Sequence, residues 1–332
     1  MGTAIIRPLT VAVMLALLSP EDDRASTVRP ATRELEFTYG AVVRNIPAAS
    51  RRLQIWVPIP YDDACQTISD LQIVTPLPYR QMEDTEYGNV AIYIEASSDL
   101  PDSLPLQMTF RARRCEARPI TDTAGKTGGR IQRFLSPDVL VPIDGQIAAE
   151  AMRVTDGLLS DSARARVLYA HILQSMRYDK TGSGWGRGDA IFACSERRGN
   201  CTDIHSLLIG MARATKIPAR FVIGFPIPPN SAGGAIGGYH CWADLYIEGL
   251  GWVPVDASEA ITHPDQTDYF FGTLDPNRVA FTIGRDIRLG DDRDAPKINY
   301  FIYPYVLVDG HEFTDVTHQF AFRVLDDSTN AR

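Results

Sequence analysis

The stretch that most constrains this chain spans residues 199–225, GNCTDIHSLLIGMARATKIPARFVIGF. Gly199 and Asn200 form a polar turn. Ile204, Leu207, Leu208, Met211 and Ala212 then recur at i, i+3, i+4, i+7 and i+8, which predicts a helix with one buried stripe. Pro218 stops the helix, and residues 219–225 are an apolar run of strand length. Asn200 is a competent N-cap, so Cys201 falls on the first helical position. Free backbone N–H groups and the helix dipole favour an anion there, lowering a thiol's pKa and offering donors to an oxyanion. A core-anchored helix that opens on cysteine is therefore a candidate nucleophile site.

Downstream, residues 239–247 (YHCWADLYI) alternate and place His240, Trp242, Asp244 and Tyr246 on one strand face. Glu248, Gly249, Leu250 and Gly251 turn the chain, and residues 252–256 (WVPVD) return. A plain four-residue loop pairs Ile247 with Trp252 and sets Asp256 opposite Ala243, on the wrong face from His240. A one-residue shift at Gly249 or Gly251 sets Asp256 opposite Trp242 instead, as a diagonal neighbour of His240 within side-chain reach. A Cys201–His240–Asp256 site thus predicts an irregular turn. A regular turn makes Asp244 the rival orienter of His240.

Two further readings belong beside this one. His205 lies four residues after Cys201 on the same helical face, and with Cys194 and either His240 or Cys241 these residues form a rival zinc set. No C-x-x-C or H-E-x-x-H spacing accompanies them, so neither a metal nor another cofactor is expected. Trp185 sits among Gly182, Gly184, Gly186 and Gly188, either packing or walling a substrate groove with its indole N–H available.

The blocks GNCTD, GYHCWAD and WVPVDASEA resemble the three core motifs of the transglutaminase-like superfamily, over residues 162–259. The resemblance implies a papain-like α+β core, a cysteine-bearing helix packed on an antiparallel sheet. It assigns Cys201 as nucleophile, His240 as its base and acid, and Asp256 as the orienter of His240. Trp185, Asn200 and Trp242 are the candidates for oxyanion and groove contacts. The implied chemistry is acyl transfer on an amide of a protein or peptide, hydrolysis favoured over cross-linking, with a catalytically silent binding module as the alternative from another class. Residues 268–272 and 299–301 resemble bacterial members. Calcium dependence is not carried over, because no EF-hand loop or dense acidic cluster is present.

The rest of the chain divides by pattern. Residues 1–28 hold Arg7 and the ten-residue apolar run LTVAVMLALL, which is expected to be a signal segment and is too short to span a bilayer as a helix. An extracytoplasmic protein is expected, or a cytoplasmic one if that segment is not a signal. Residues 33–118 alternate in short strands with proline-rich turns, an N-terminal β-sandwich-like domain for support or partner contact. Residues 119–145 read as a linker, 146–265 as the catalytic core, and 266–325 as strands that extend or cover the core sheet. His171, His263, His311 and His318 read as surface, packing or loop histidines. Of five cysteines, Cys65 and Cys115 are the expected disulfide in an exported chain, and Cys194 and Cys241 read as small buried hydrophobes. A net charge of −8 over 332 residues supplies no basic field for nucleic acid, so a protein substrate is the expected partner.

Overall fold

The computed structural model describes residues 31–97, 99–119, 131–290 and 295–327, so the expected signal segment, residues 1–28, lies outside them. At the centre is helix α4, Cys201–Ala214, capped by Asn200 and ended before Pro218. It lies on a four-stranded antiparallel sheet ordered Gly251–Val255, His240–Ile247, Ala219–Pro226 and Arg278–Ile283. Three more helices pack around it: α1 (Gly145–Val154), α2 (Asp161–Ser175) and α3 (Ala190–Glu196). Periodicity predicts one buried stripe, yet every residue of α4 is buried, because sheet and helices enclose it on all sides. Its polar residues are accordingly paired: Arg213 Nη1 lies 2.6 Å from Asp138 Oδ2, and its Nε donates to the Ala219 carbonyl at 2.9 Å.

Two five-stranded antiparallel sheets complete the core. The first is ordered Gly233–Ile236, Val316–Asp327, Thr32–Val43, Leu104–Cys115, Gln66–Val74, and the second His311–Glu312, Tyr305–Val308, Leu53–Ile59, Val90–Ala96, Tyr79–Glu83. Alternation decides which face turns inward: Leu35, Phe37, Tyr39, Ala41 and Val43 are buried while their neighbours are not. Phe37 stacks on Phe110 at 5.2 Å and meets Phe225 and Phe281 of the four-stranded sheet at 5.4 and 5.7 Å, so the sheets share one apolar core.

That sharing revises the division read from the sequence. Of the tail, Arg278–Ile283 joins the core sheet, as expected. Tyr305–Val308 pairs instead with Leu53–Ile59, and Val316–Asp327 with Thr32–Val43, so 33–118 and the end of the chain build the same two sheets. The segment read as a linker is ordered where it is described: Phe134 and Val141 are buried, and Arg133 pairs with Asp138. Residues 120–130 of it lie outside the described residues. Cys65 and Cys115 are neighbours, the N–H of Cys115 donating to the Cys65 carbonyl at 2.8 Å, and both thiols are free. Among the described residues, no helix is long and apolar enough to cross a membrane.

Gly224 is the tightest point of the core sheet. It faces His240 on one side, and a Cβ there would meet the Val279 carbonyl oxygen at 1.9 Å on the other. Gly224→Ala is expected to destabilise the protein by about 3 kcal/mol in urea unfolding, by forcing two strands apart. Gly40→Ala, whose Cβ would meet the Gln319 carbonyl at an ordinary 3.5 Å, is expected to stay within about 0.5 kcal/mol of the parent. Equal costs at the two positions would refute this account of the sheet.

Candidate active site

Cys201 opens α4 as the helix-start pattern predicts. Asn200 caps the helix: its Oδ1 accepts the N–H groups of Thr202 and Asp203 at 3.0 and 3.4 Å, while Asp203 Oδ2 accepts the N–H of Asn200 at 3.1 Å. This reciprocal box leaves the N–H of Cys201 without an acceptor among the described residues. It is the helix-start donor free to hold an oxyanion at the sulfur. Asn200 itself is the cap, and its side-chain Nδ2 donates to the Tyr239 hydroxyl at 3.2 Å.

His240 begins its strand, and the hairpin that follows has the shifted register. Ile247 pairs with Gly251 and Ala243 with Val255, so Asp256 follows opposite Trp242. The turn is made by Leu250 N–H donating to the Ile247 carbonyl at 3.0 Å, with Gly249 and Gly251 at φ of 82° and 80°. Both values are cheap for glycine alone. The consequence is a 2.7 Å contact between His240 Nε2 and Asp256 Oδ2. That contact occupies Nε2 and leaves Nδ1 as the ring nitrogen open to Cys201. Asp244, the rival orienter, is instead paired with Arg220 at 2.7 Å.

Asp256 is fully buried and fully satisfied. Its Oδ1 accepts from the Ser258 hydroxyl at 2.9 Å and the Glu259 N–H at 3.0 Å, capping α5 (Ala257–Thr262), and its Oδ2 also accepts from Arg278 Nη1 at 2.8 Å. Burial works against its charge, but His240, Arg278 and these hydrogen bonds hold its carboxyl well below the usual carboxylate range. Burial likewise opposes a charged His240, and the Asp256 carboxylate outweighs it, pushing the imidazole up to about 10. The Cys201 thiol is driven well below its ordinary value by a hydrogen bond from Cys241, then, against burial, by the hydrogen bond and charge of His240. Both shifts favour a Cys201 thiolate beside a protonated His240. Folding thus keeps a proton on His240 that an unfolded histidine releases near 6.5. This stabilisation is complete below 6.5 and is lost as pH rises through about 10.

Three contributors were not legible as such in the sequence. Arg278 bridges Asp256 and Asp275, with 2.6 Å to the latter, and its guanidinium lies over the Trp242 ring at 5.1 Å. Only Asp275, three residues earlier, hints at it. His205 faces the backbone: Nδ1 donates to the Cys201 carbonyl at 2.8 Å, and Nε2 accepts the Ala257 N–H at 3.0 Å. With both nitrogens committed to the backbone, this histidine is neutral and joins the Cys201 helix to the Asp256 turn. It has no lone pair left for zinc, which removes the rival metal set. Cys241 is fully buried, but it contacts the nucleophile rather than serving as filler.

The remaining candidates fall elsewhere. Trp185 donates its indole N–H to the Gly182 carbonyl within its own loop at 3.1 Å, so that donor is not available for an oxyanion. The loop is fastened to α4 by Asp203, which accepts the N–H groups of Gly186 and Gly188 at 2.6 and 2.9 Å. Trp242 is buried beneath Arg278 and Arg114, a platform rather than a groove wall. His240, Asp256 and Glu259 bring ligand atoms within 4.8 Å of one another, but both Asp256 oxygens are already occupied, one of them by Arg278. His240 and Asp256 form a buried hydrogen-bonded pair flanked by the Glu259 carboxylate.

Residues 148–257 match the family model of the Transglutaminase-like superfamily. An uncharacterized protein of Haemophilus influenzae is 26% identical over 327 residues, covering 83% of this chain and 86% of the relative. The crystal structure titled as "a Putative Cysteine Protease from Cytophaga hutchinsonii" superposes with a TM-score of 0.59 at 17% identity, covering 90% of this chain and 91% of the other, a likeness of fold.

Iodoacetamide labelling tests the ion pair. Cys201 is expected to alkylate first at pH 6, where an ordinary thiol is only about 0.3% ionised. Cys194, pushed up to about 11 by burial and Glu150, should lag far behind. In Asp256→Asn the labelling profile of Cys201 should move to higher pH, since the charge that keeps His240 protonated is gone. An unmoved profile would show that Asp256 does not set the charge of His240.

Proposed function

From residues 148–257 being a transglutaminase-like domain, we propose that this chain is a cysteine-nucleophile enzyme that hydrolyses an amide of a protein or peptide. The observation that carries the proposal is the buried His240–Asp256 contact at 2.7 Å, together with Cys201 at a helix start. The Cys201 thiolate attacks the carbonyl carbon, forming a C–S bond and an oxyanion beside its own N–H. The C–N bond then breaks as His240 gives its Nδ1 proton to the departing amine, leaving a thioester and neutral imidazole. Water, giving its proton back to His240, attacks the thioester and releases the acid, restoring thiolate and imidazolium. An amine in place of water gives cross-linking instead. Hydrolysis is favoured by resemblance to bacterial members, and the amide is a peptide bond, an isopeptide or a glutamine side chain. Arg7 followed by the ten-residue apolar run LTVAVMLALL supports an extracytoplasmic site of action.

A peptide and glutamine-amide library scored side by side for hydrolysis and for amine incorporation tests the reading. Cys201→Ala is expected to abolish both activities, and Asp256→Asn to lower kcat on the order of 10⁴-fold, as loss of an orienting carboxylate does elsewhere. Activity that survives Cys201→Ala would sink the nucleophile assignment. Amine incorporation outpacing hydrolysis would make the chain a cross-linker.

A further inference from the structure

We propose that the cavity beside His240 binds the leaving-group half of the substrate and selects a cationic side chain there, lysine or arginine. The inference rests on the acyl-transfer reading. His240 must protonate the departing amine, so that half of the substrate lies on the His240 side of the sulfur. A cavity of about 470 Å³ opens on that side, bounded by His240 but not by Cys201. Its size suits one or two side chains.

The lining specifies the chemistry. Its apolar wall includes Ile227, Pro228, Ile236 and Phe270, and its lining also carries Glu259 and His263. The charges in and beneath the cavity largely cancel. His240 and Arg278 are both held by Asp256, and Arg278 is also held by Asp275. Glu259 remains. Its Oε2 lies 3.1 Å from His263 Nδ1 and its Oε1 3.8 Å from His240 Nε2, and about a third of its side chain is exposed. No lysine lines the cavity, and Arg278 is its one arginine. An alkyl stem along the apolar wall with a cation at Glu259 satisfies both halves of the surface. An acidic side chain there would meet Glu259 unscreened by any free cation. A neutral apolar one would gain the wall and forgo the carboxylate.

Lysinamide and norleucinamide, which differ at the side chain mainly in the ammonium group, separate these cases. Binding is measured by calorimetry or NMR on the full chain carrying Cys201→Ala, so the outcome does not depend on turnover. Lysinamide is expected to bind about fivefold tighter than norleucinamide, the upper end for a partly exposed charge pair assisted by stem contact. Adding Glu259→Gln should bring the two to parity, while Glu259→Asp should keep a reduced preference. Glu259 caps through its backbone N–H, so these replacements leave the Asp256 contact in place. Equal affinities before the change at Glu259, a preference that survives Glu259→Gln, or no saturable lysinamide binding would each overturn the proposal. The parent enzyme is then incubated with peptides carrying lysine or norleucine just after the scissile amide, and acylated Cys201 is read by mass. Acyl-enzyme formation without a lysine preference overturns the subsite alone. A lysinamide preference with no acyl-enzyme from any peptide upholds the subsite and overturns the acyl-transfer reading instead.

Discussion

The site depends on a single buried carboxylate. Asp256 is removed from water entirely, a position that costs several kcal/mol for an unpaired ion, and it is stable there because each oxygen accepts two hydrogen bonds. Two of those donors are cations, His240 and Arg278; the others cap a short helix. The carboxylate therefore has no freedom to rotate, and its direction fixes the His240 ring. The same charge favours a proton on His240, and His240, together with Cys241, favours the thiolate form of Cys201.

Delivery of Asp256 to that position is a matter of strand register. Side chains alternate along a strand, so a one-residue slip in the hairpin would turn Asp256 to the opposite face. The three-residue loop between Ile247 and Gly251, with two glycines in the left-handed region, removes the slip. On the other side of the triad, His205 ties the Cys201 carbonyl to the Ala257 N–H. The nucleophile's helix and the carboxylate's turn are thus joined by a neutral ring as well as by the charged one. Full burial of α4 follows from the same requirement: a helix whose first residue must hold its position to a fraction of an ångström is better fixed from every side than from one.

Local chemistry was legible in the sequence wherever it depends on neighbours along the chain. The Asn200 cap, the placement of Cys201 at the helix start, and the dependence of the His240–Asp256 pair on an irregular glycine turn all follow from short-range patterns. What escaped depends on distance in sequence. Arg278 lies 22 residues from Asp256, and nothing near it marks it as a partner. His205 reads as a rival metal ligand against the better core reading until the Ala257 N–H is seen to occupy its second nitrogen. Trp185 and Trp242 were candidates because an aromatic donor is useful beside an oxyanion, but an indole pointed at its own loop and one lying under two guanidiniums serve other ends. The sheets show the same limit. Alternation identifies strands at 33–118 and in the tail, but period-two patterning carries no information about which strands pair.

That interleaving bears on how the site is held. The strand of His240 is flanked by Ala219–Pro226, whose Phe225 packs against Phe37 of the first strand and Phe320 of the last. Both ends of the described chain therefore press on the strand that neighbours His240. A nucleophile and base on a small independent domain would be positioned by that domain's own modest core. Here the whole apolar interior stands behind the 2.7 Å contact at Asp256. Removal of the outer strands would be felt at His240 and Asp256 as lost geometry. The outer sheets are part of the active site's foundation, and their role in support follows from packing without any partner having to bind them.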